Sequence, residues 1–336
     1  MAIDQFNEWL SERDLQGYWT LVQHRAGPPG PKAGFGPYLW KWSEMAAALE
    51  QASDLIPPED SFRRFIGYIH PEVKSGATHT LLLGAQRVNP GERPEAHRHT
   101  MAAIRFVVSG SGAATVVNGE EFPMLEGDLI TTPSRTWHDH VNESGEPIVW
   151  LDGADGPLMR LLRVGDGDPY AKPLQDVVRG RGTSAAESGV IRPTWIKTDG
   201  AQPPPYRYAW AETSKVLELM AEEPGDQYDG ILVRYANPLT GGATLPTMGC
   251  EMQMLRPGEH THAHRHTSSV IYHAFRGQGR TIVDGEAIEW EQGDTFVVPL
   301  WASHQHDNDA REPAYLFSIS DRPVMDGLGL YREEPV

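Results

Sequence analysis

The sequence predicts an all-β protein: two jelly-roll barrels behind a helical N-terminal lead-in. Three observations predict it. A histidine-rich block occurs twice, 167 residues apart. Short runs rich in Val, Ile, Leu, Thr and Phe, broken by Gly, Pro or Asn, surround each block. Hairpin dipeptides, Asn118-Gly119 and Asp284-Gly285, fall at matching places in the two copies.

Residues about 3–24 read as a helix, with Phe6, Trp9, Leu10, Leu15 and Leu21 along it. Gly27-Pro28-Pro29-Gly30-Pro31 interrupts it. A second helix over about 40–55 carries Trp42, Met45, Ala46, Leu49 and Leu55, and Pro57-Pro58 ends it. From about 61 the apolar period becomes strand-like: Thr78–Leu83, Ile104–Val108 and Ala114–Val117, then Ile231–Tyr235, Val270–Phe275 and Thr281–Val283. Between them, 165–205 is rich in Gly, Asp, Pro and Arg and reads as a linker, and Thr213–Glu222 reads as a helix. The repeat extends beyond the histidines: Pro71 matches Pro238, Gln86 Gln253, Gly110 Gly277, Gly127-Asp128 Gly293-Asp294, and Pro133 Pro299. A repeat of this length is a duplicated domain, not a solenoid unit. The expected division is a helical segment over 1–60, barrels over 61–165 and 226–336, and a linker with a helix over 166–225.

Composition narrows the function classes. The 336 residues suffice for two domains with cores, and 39% hydrophobic and 22% charged residues are globular values. No apolar run approaches the ~20 residues of a membrane span, and no signal pattern opens the chain. One cysteine, Cys250, allows no intrachain disulfide and suits a reducing cytoplasm. The formal charge of −17 argues against nonspecific nucleic-acid binding. It leaves an anionic small substrate open, because a few arginines can set a local field.

The histidine blocks carry the chemistry. The first reads Pro90-Gly91-Glu92 … His97-Arg98-His99-Thr100 and the second Pro257-Gly258-Glu259 … His264-Arg265-His266-Thr267. Residues i and i+2 of a strand share a face, so each His-Arg-His presents two imidazoles together. His138 and His304 follow 41 and 40 residues on from His97 and His264. Single histidines are usually ordinary polar residues, but 11 of the 14 here fall in the two repeated windows. Three imidazoles leave a metal face open, and imidazole alone does not choose among Fe, Cu, Zn and Ni. His140 lies two residues beyond His138, as either an acid–base group or a surface histidine.

These residues resemble the two cupin motifs: Gly91, His97 and His99 fit the first, and Gly127, Pro133, His138 and Asn142 the second, with Arg135 in place of its inner Gly. The usual glutamate ligand is missing, since Ala103 or Ile104 stands there. Ala96-His97-Arg98-His99-Thr100 … Ile104-Arg105-Phe106, Thr136-Trp137-His138-Asp139-His140 and Trp150-Leu151-Asp152-Gly153 resemble the gentisate 1,2-dioxygenase family of bicupin enzymes, which includes salicylate and 1-hydroxy-2-naphthoate dioxygenases. The resemblance implies Fe(II) on His97, His99 and His138, O2 as co-substrate, and an aromatic acid opened between its carboxyl- and hydroxyl-bearing carbons. It also implies a homotetramer. Arg105 matches a family arginine and is the natural carboxylate clamp. Gln86 and one of Arg63 and Arg64 match family pocket residues; Asp152 and Trp137 are either pocket residues or turn and packing residues. Gly84, two residues before Gln86, and Leu82, where the family often has Trp, would widen the pocket.

The second copy keeps His264, His266, His304 and Gln253, a candidate second metal site. But Tyr272 replaces Arg105, Glu251 replaces Gly84, and Gly230 and Ile231 fall where Arg63 and Arg64 would align. It is therefore a poor place for a carboxylate substrate. Two other readings stay open: a different cupin metalloenzyme, such as a diketone- or flavonol-cleaving dioxygenase or an isomerase, and a noncatalytic bicupin binding protein. The first commonly uses the glutamate absent here, and the second would be expected to lose ligands.

Overall fold

A computed structural model of the chain describes residues 2–22, 30–57, 63–178 and 203–336. It divides into a small N-terminal unit, Met1–Lys32, and one large unit, Ala33–Val336. In the small unit the expected long helix is two short ones, Ile3–Ser11 and Tyr18–Val22. The break has a local cause: Asp14 takes a left-handed backbone, with φ of 54°. Phe6 then stacks between Trp9 and Trp19, whose indole donates to Asn7 Oδ1 at 2.9 Å.

The large unit is two jelly rolls, each of two facing antiparallel sheets. In the first, strands Phe65–Gly67, Leu82–Val88, Ile148–Ala154, Ala103–Ser109 and Leu129–Thr132 face Gly167–Pro169, His97–His99, His138–Asn142, Ser111–Val117 and Glu120–Leu125. The second repeats this order with Ile231–Arg234, Gly249–Leu255, Ala314–Ser320, Val270–Arg276 and Thr295–Val298. Its facing sheet holds His264–His266, His304–Asn308, Gln278–Val283 and Glu286–Glu291, edged by Glu333–Pro335. Both predicted hairpin turns are present: φ is 49° and 77° at Asn118-Gly119, and 47° and 88° at Asp284-Gly285. Positive φ at both central residues matches strand twist and suits Asn or Asp before Gly.

Each roll has its own core, around Trp150 and Phe122 in the first and Trp290 and Phe296 in the second. The largest core lies between the rolls, where the sheet that holds Ala103–Ser109 packs against the sheet that holds Val270–Arg276. Phe106 stacks on Phe317 with centroids 4.0 Å apart and meets Phe275 edge-on at 5.1 Å. Strand Ala103–Ser109 is therefore buried on both faces. Ile104 and Phe106 fill the core between the rolls, while Arg105 and Val107 turn into the first roll.

The linker and lead-in depart from expectation. Residues 179–202, most of the expected linker, lie outside the described residues. On either side, Gly167–Pro169 and Arg207–Tyr208 are edge strands of the first roll. The lead-in likewise supplies Tyr38–Trp40 to the second roll, followed by helix Trp42–Leu55, as helix Trp210–Met220 follows Arg207–Tyr208. The two copies thus exchange straps. Asp294 accepts from the Trp42 amide at 2.9 Å and pairs with Lys41 at 2.6 Å; Asp128 accepts from the Trp210 amide at 2.9 Å and pairs with Arg207 at 2.7 Å. Gly127 and Gly293, both at positive φ, leave room for the Trp210 and Trp42 rings. That explains why Gly-Asp stands in both copies. One run is displaced: Thr78–Leu83 reads as a strand, but the strand is Leu82–Val88, preceded by a bend stapled by Thr78 Oγ1.

Candidate active site

His97 and His99 leave one face of their three-residue strand, and His97 sits in register with His138 on the neighbouring strand. Ring centroids are 4.2 Å apart for His97 and His138, 4.9 Å for His99 and His138, and 5.3 Å for His97 and His99. One nitrogen from each lies within 4.8 Å of the others. Backbone carbonyls orient all three rings: Nδ1 meets Glu95 O at 3.2 Å in His97, Met101 O at 2.7 Å in His99, and Thr136 O at 3.0 Å in His138. In His99 and His138 Nδ1–H is thereby fixed and the Nε2 lone pair is offered inward. Burial, above all, lowers the pKa values, to about 3 for His97, about 4 for His99 and well below the usual range for His138. The rings therefore present lone pairs, not protons, at neutral pH. His138 Nε2 is buried with no hydrogen-bond partner among the described residues. An orphaned buried nitrogen beside two others fits a metal ion.

Cationic groups stand beside this cluster. Arg105, only 2% exposed, faces its register partner Asp152 with Nε and Oδ1 3.3 Å apart, and donates to Thr132 Oγ1. The Trp150 indole donates to the other Asp152 oxygen at 3.0 Å. Arg63 Nη2 lies 3.1 Å from His97 Nδ1, and burial, followed by the Arg105 charge, lowers the Arg63 pKa to about 9. Two guanidiniums stand here, Arg105 beside Asp152 and Arg63 in the field of Asp152 and Asp139, and their forks can receive an anion. Gln86 is buried, and neither its amide oxygen nor its nitrogen has a hydrogen-bond partner among the described residues. His140 is also buried, with Nδ1 2.8 Å from Thr115 Oγ1 and Nε2 without such a partner.

The other expected pocket residues lie elsewhere. Arg64 is tied to Glu92 and to the Ile56 carbonyl at 3.3 Å, and Glu92 also accepts the Asn89 amide. Trp137 packs edge-on against Tyr170 at 4.9 Å with the Arg98 guanidinium 4.4 Å from its ring. Arg98 lies between His97 and His99, so this stack is on the opposite face of the sheet from the histidines. Nor does Gly84 open space. A side chain there would strike the Phe65 ring and the Ile66 carbonyl, so Phe65, the register partner of Gln86, fills that room. Thr132 and Phe65 join the surroundings without a signal in the sequence; only strand register reveals them.

Two jelly rolls, each with a three-histidine cluster inside, define a bicupin metalloprotein. The cupin domain family matches residues 84–153 and 251–320. The chain is 41% identical to 5-aminosalicylate 1,2-dioxygenase of Comamonas sp. over 99% of its own length and 90% of that protein's. It is 38% identical to 1-hydroxy-2-naphthoate 1,2-dioxygenase of Nocardioides sp. strain KP7, over 99% and 88%. The crystal structure of salicylate 1,2-dioxygenase from Pseudoaminobacter salicylatoxidans with gentisate superposes with a TM-score of 0.89 at 31% identity, covering 99% of this chain and 93% of that one. The chain belongs to the gentisate, salicylate and hydroxynaphthoate dioxygenase family and is a ring-cleaving dioxygenase. No described helix is long and apolar enough to cross a membrane.

Proposed function

We propose that the first jelly roll is an Fe(II)-dependent 1,2-dioxygenase site for a hydroxylated aromatic acid: gentisate, salicylate or a substituted salicylate. O2 would be inserted between the carboxyl-bearing and hydroxyl-bearing ring carbons. One observation carries this reading. A three-imidazole cluster adjoins two guanidiniums, Arg105 buried and Arg63 partly buried, both in the field of Asp152. In this reading His97, His99 and His138 hold the metal. Iron bound there would pass electrons from the substrate to ground-state O2, which otherwise reacts sluggishly with a closed-shell ring.

The remaining work falls to the chain's own side chains. Arg105 and Arg63 receive the substrate carboxylate, and Asp152 holds the Arg105 fork in place. Gln86 gives its unpaired amide to the substrate or to O2. His140 is held neutral by burial, with Thr115 at its Nδ1, so its Nε2 exchanges a proton or hydrogen bond with the reacting ring. Phe65 beside Gly84 favours a single ring over 1-hydroxy-2-naphthoate. The single buried Cys250 supports a cytoplasmic setting. Exposed Leu161, Leu162 and Val164 support a homo-oligomer, a tetramer by the family resemblance.

The test is a panel of gentisate, salicylate, 5-substituted salicylates and 1-hydroxy-2-naphthoate, mixed with iron-loaded enzyme in air. Ring opening is read as ultraviolet absorbance of the oxoacid together with O2 uptake. Turnover of a single-ring acid is expected. Failure on every ortho-hydroxy acid would overturn the proposal, and turnover of the naphthoate alone would overturn its single-ring part.

A further inference from the structure

The second jelly roll repeats the imidazole geometry of the first. His264 pairs in register with His304, and the centroids of His264, His266 and His304 are 4.4 to 5.5 Å apart. His304 Nδ1 meets Ala302 O at 3.1 Å and His266 Nδ1 meets Ser268 O at 2.9 Å. The Nε2 atoms of His264 and His304 are buried without a hydrogen-bond partner among the described residues. Both side chains are almost fully buried, at 2% and 1% exposure. These are the same marks of a metal site as in the first roll.

The walls differ. Leu232 pairs with Gln253 as Phe65 pairs with Gln86, so the strand entrances correspond. That entrance carries Arg63 toward the histidines in the first roll. In the second, Gly230 takes that place and Asp229 precedes it, with Oδ1 3.8 Å from His264 Nε2. This carboxylate stands beside the three imidazole nitrogens but outside the 4.8 Å group that they form, so it faces an ion held there without completing the imidazole set. The loop is held there by two contacts. Gln253 donates to the Asp229 carbonyl at 2.8 Å, and the Tyr228 ring lies parallel to His264 with centroids 5.1 Å apart.

The C-terminal strand closes the other side. Glu333–Pro335 pairs with His264–His266 and sets Glu333 Oε1 3.2 Å from His264 Nδ1. Tyr331 donates to the second Glu333 oxygen at 2.7 Å. A carboxylate on the far nitrogen orients a metal-binding imidazole and raises its basicity. The cavity encloses about 40 Å³. That admits an ion and a water, against roughly 300 Å³ or more for a small-molecule pocket. Asp229, Glu251 and Glu333 line it against the single guanidinium of Arg322, so its charge calls for a cation.

We propose that the second jelly roll is a closed site for a divalent transition-metal ion, held by His264, His266 and His304 with the Asp229 carboxylate facing it, that binds no aromatic acid. Three imidazole donors suit Fe, Zn, Ni or Cu. The site goes beyond the dioxygenase reading and stands independently of the substrate.

The test uses the full chain loaded with Co(II), with bound metal counted after free ion is removed. Two ions per wild-type chain are expected. His97→Ala should keep one, with its visible cobalt absorption band. In that background Asp229→Asn should weaken binding about tenfold or more and shift the band, because a carboxylate facing the ion is neutralised. Placed in the otherwise wild-type chain, Asp229→Asn and His304→Gln should leave turnover by the iron-loaded first roll within about twofold. One ion in the wild type and none in His97→Ala would overturn the second site. An unaltered band and affinity in Asp229→Asn would overturn the part given to Asp229, and loss of turnover with either variant would overturn a closed, noncatalytic role. A wild type that binds two ions but opens no ring would count against the proposed substrate class and leave this site standing.

Discussion

The two jelly rolls hold the same three imidazoles in the same register, yet their walls carry opposite charge. Across the first sheet the row reads Arg105, Asp152, Gly84, Gly67; across the second it reads Tyr272, Ser318, Glu251, Arg234. Beside these rows Arg63 adds a cation next to His97, while Asp229 and Glu333 add carboxylates next to His264. The metal-binding geometry is thus a property of the duplicated strands. What the metal can meet is set by a few residues on neighbouring strands. Binding an anionic acid needs a local positive field, and only the first roll supplies one.

Unequal ligand knockouts test this contrast most strongly. His97→Ala should remove ring cleavage to background, while His264→Ala leaves most of it. Steady-state oxoacid formation by the two purified variants decides the matter, and equal losses would show that the wall charges do not divide the labour.

Removing the clamp should have the next largest effect. Arg105→Gln keeps the size but deletes the charge facing Asp152, leaving a buried carboxylate poorly paired. Truncating one partner of a buried charge pair costs about 2–5 kcal/mol. We expect kcat/KM to fall accordingly, mostly through KM, while the metal content stays unchanged. An unchanged KM would break the assignment of Arg105 to the substrate carboxylate.

Acid should not distinguish the rolls. Burial lowers the pKa to about 3 in His97 and His306, and to about 4 in His99 and His266. In the unfolded chain these groups take up protons below about pH 6.5. The unfolded state therefore binds more protons between about pH 6.5 and 3–4, and native stability is full above that window and declines as pH falls through it. Each group contributes on the order of 1 kcal/mol per pH unit. The urea midpoint of the metal-free protein should drop from pH 7 to pH 5. A level midpoint would mean that the rings are not held neutral.

The sequence makes the duplication, the six histidines and Arg105 legible because all of them rest on strand periodicity, which is local. Partners far along the chain are not legible. Arg63 and Arg64 look alike until Glu92 claims Arg64. The lead-in reads as a separate segment, because nothing local says that Trp42 will donate to an aspartate 252 residues away. Glu333 and Asp229 carry no motif. Trp137 looks like a pocket residue beside His138, but alternation sends it to the other face with Arg98.

Gly84 shows the same limit and supplies the smallest expected effect. The sequence suggests that its missing side chain opens room for substrate, yet the room belongs to Phe65. In Gly84→Ala the new methyl would press on the Phe65 ring, which can turn, and on the Ile66 carbonyl, which is held in the sheet. Overpacking of this kind costs about 1–3 kcal/mol. For a chain of this size that is a melting temperature lower by a few degrees, about 2–4 °C per kcal/mol. If Phe65 is the wall of the site, the displaced ring should also change the ratio of kcat/KM between salicylate and its 5-substituted forms. Glu251, at the same register in the second roll, faces Leu232 and Arg234 instead, so Glu251→Ala should shift the melting temperature without touching that ratio. A substrate ratio moved equally by both variants would remove Phe65 from the pocket wall.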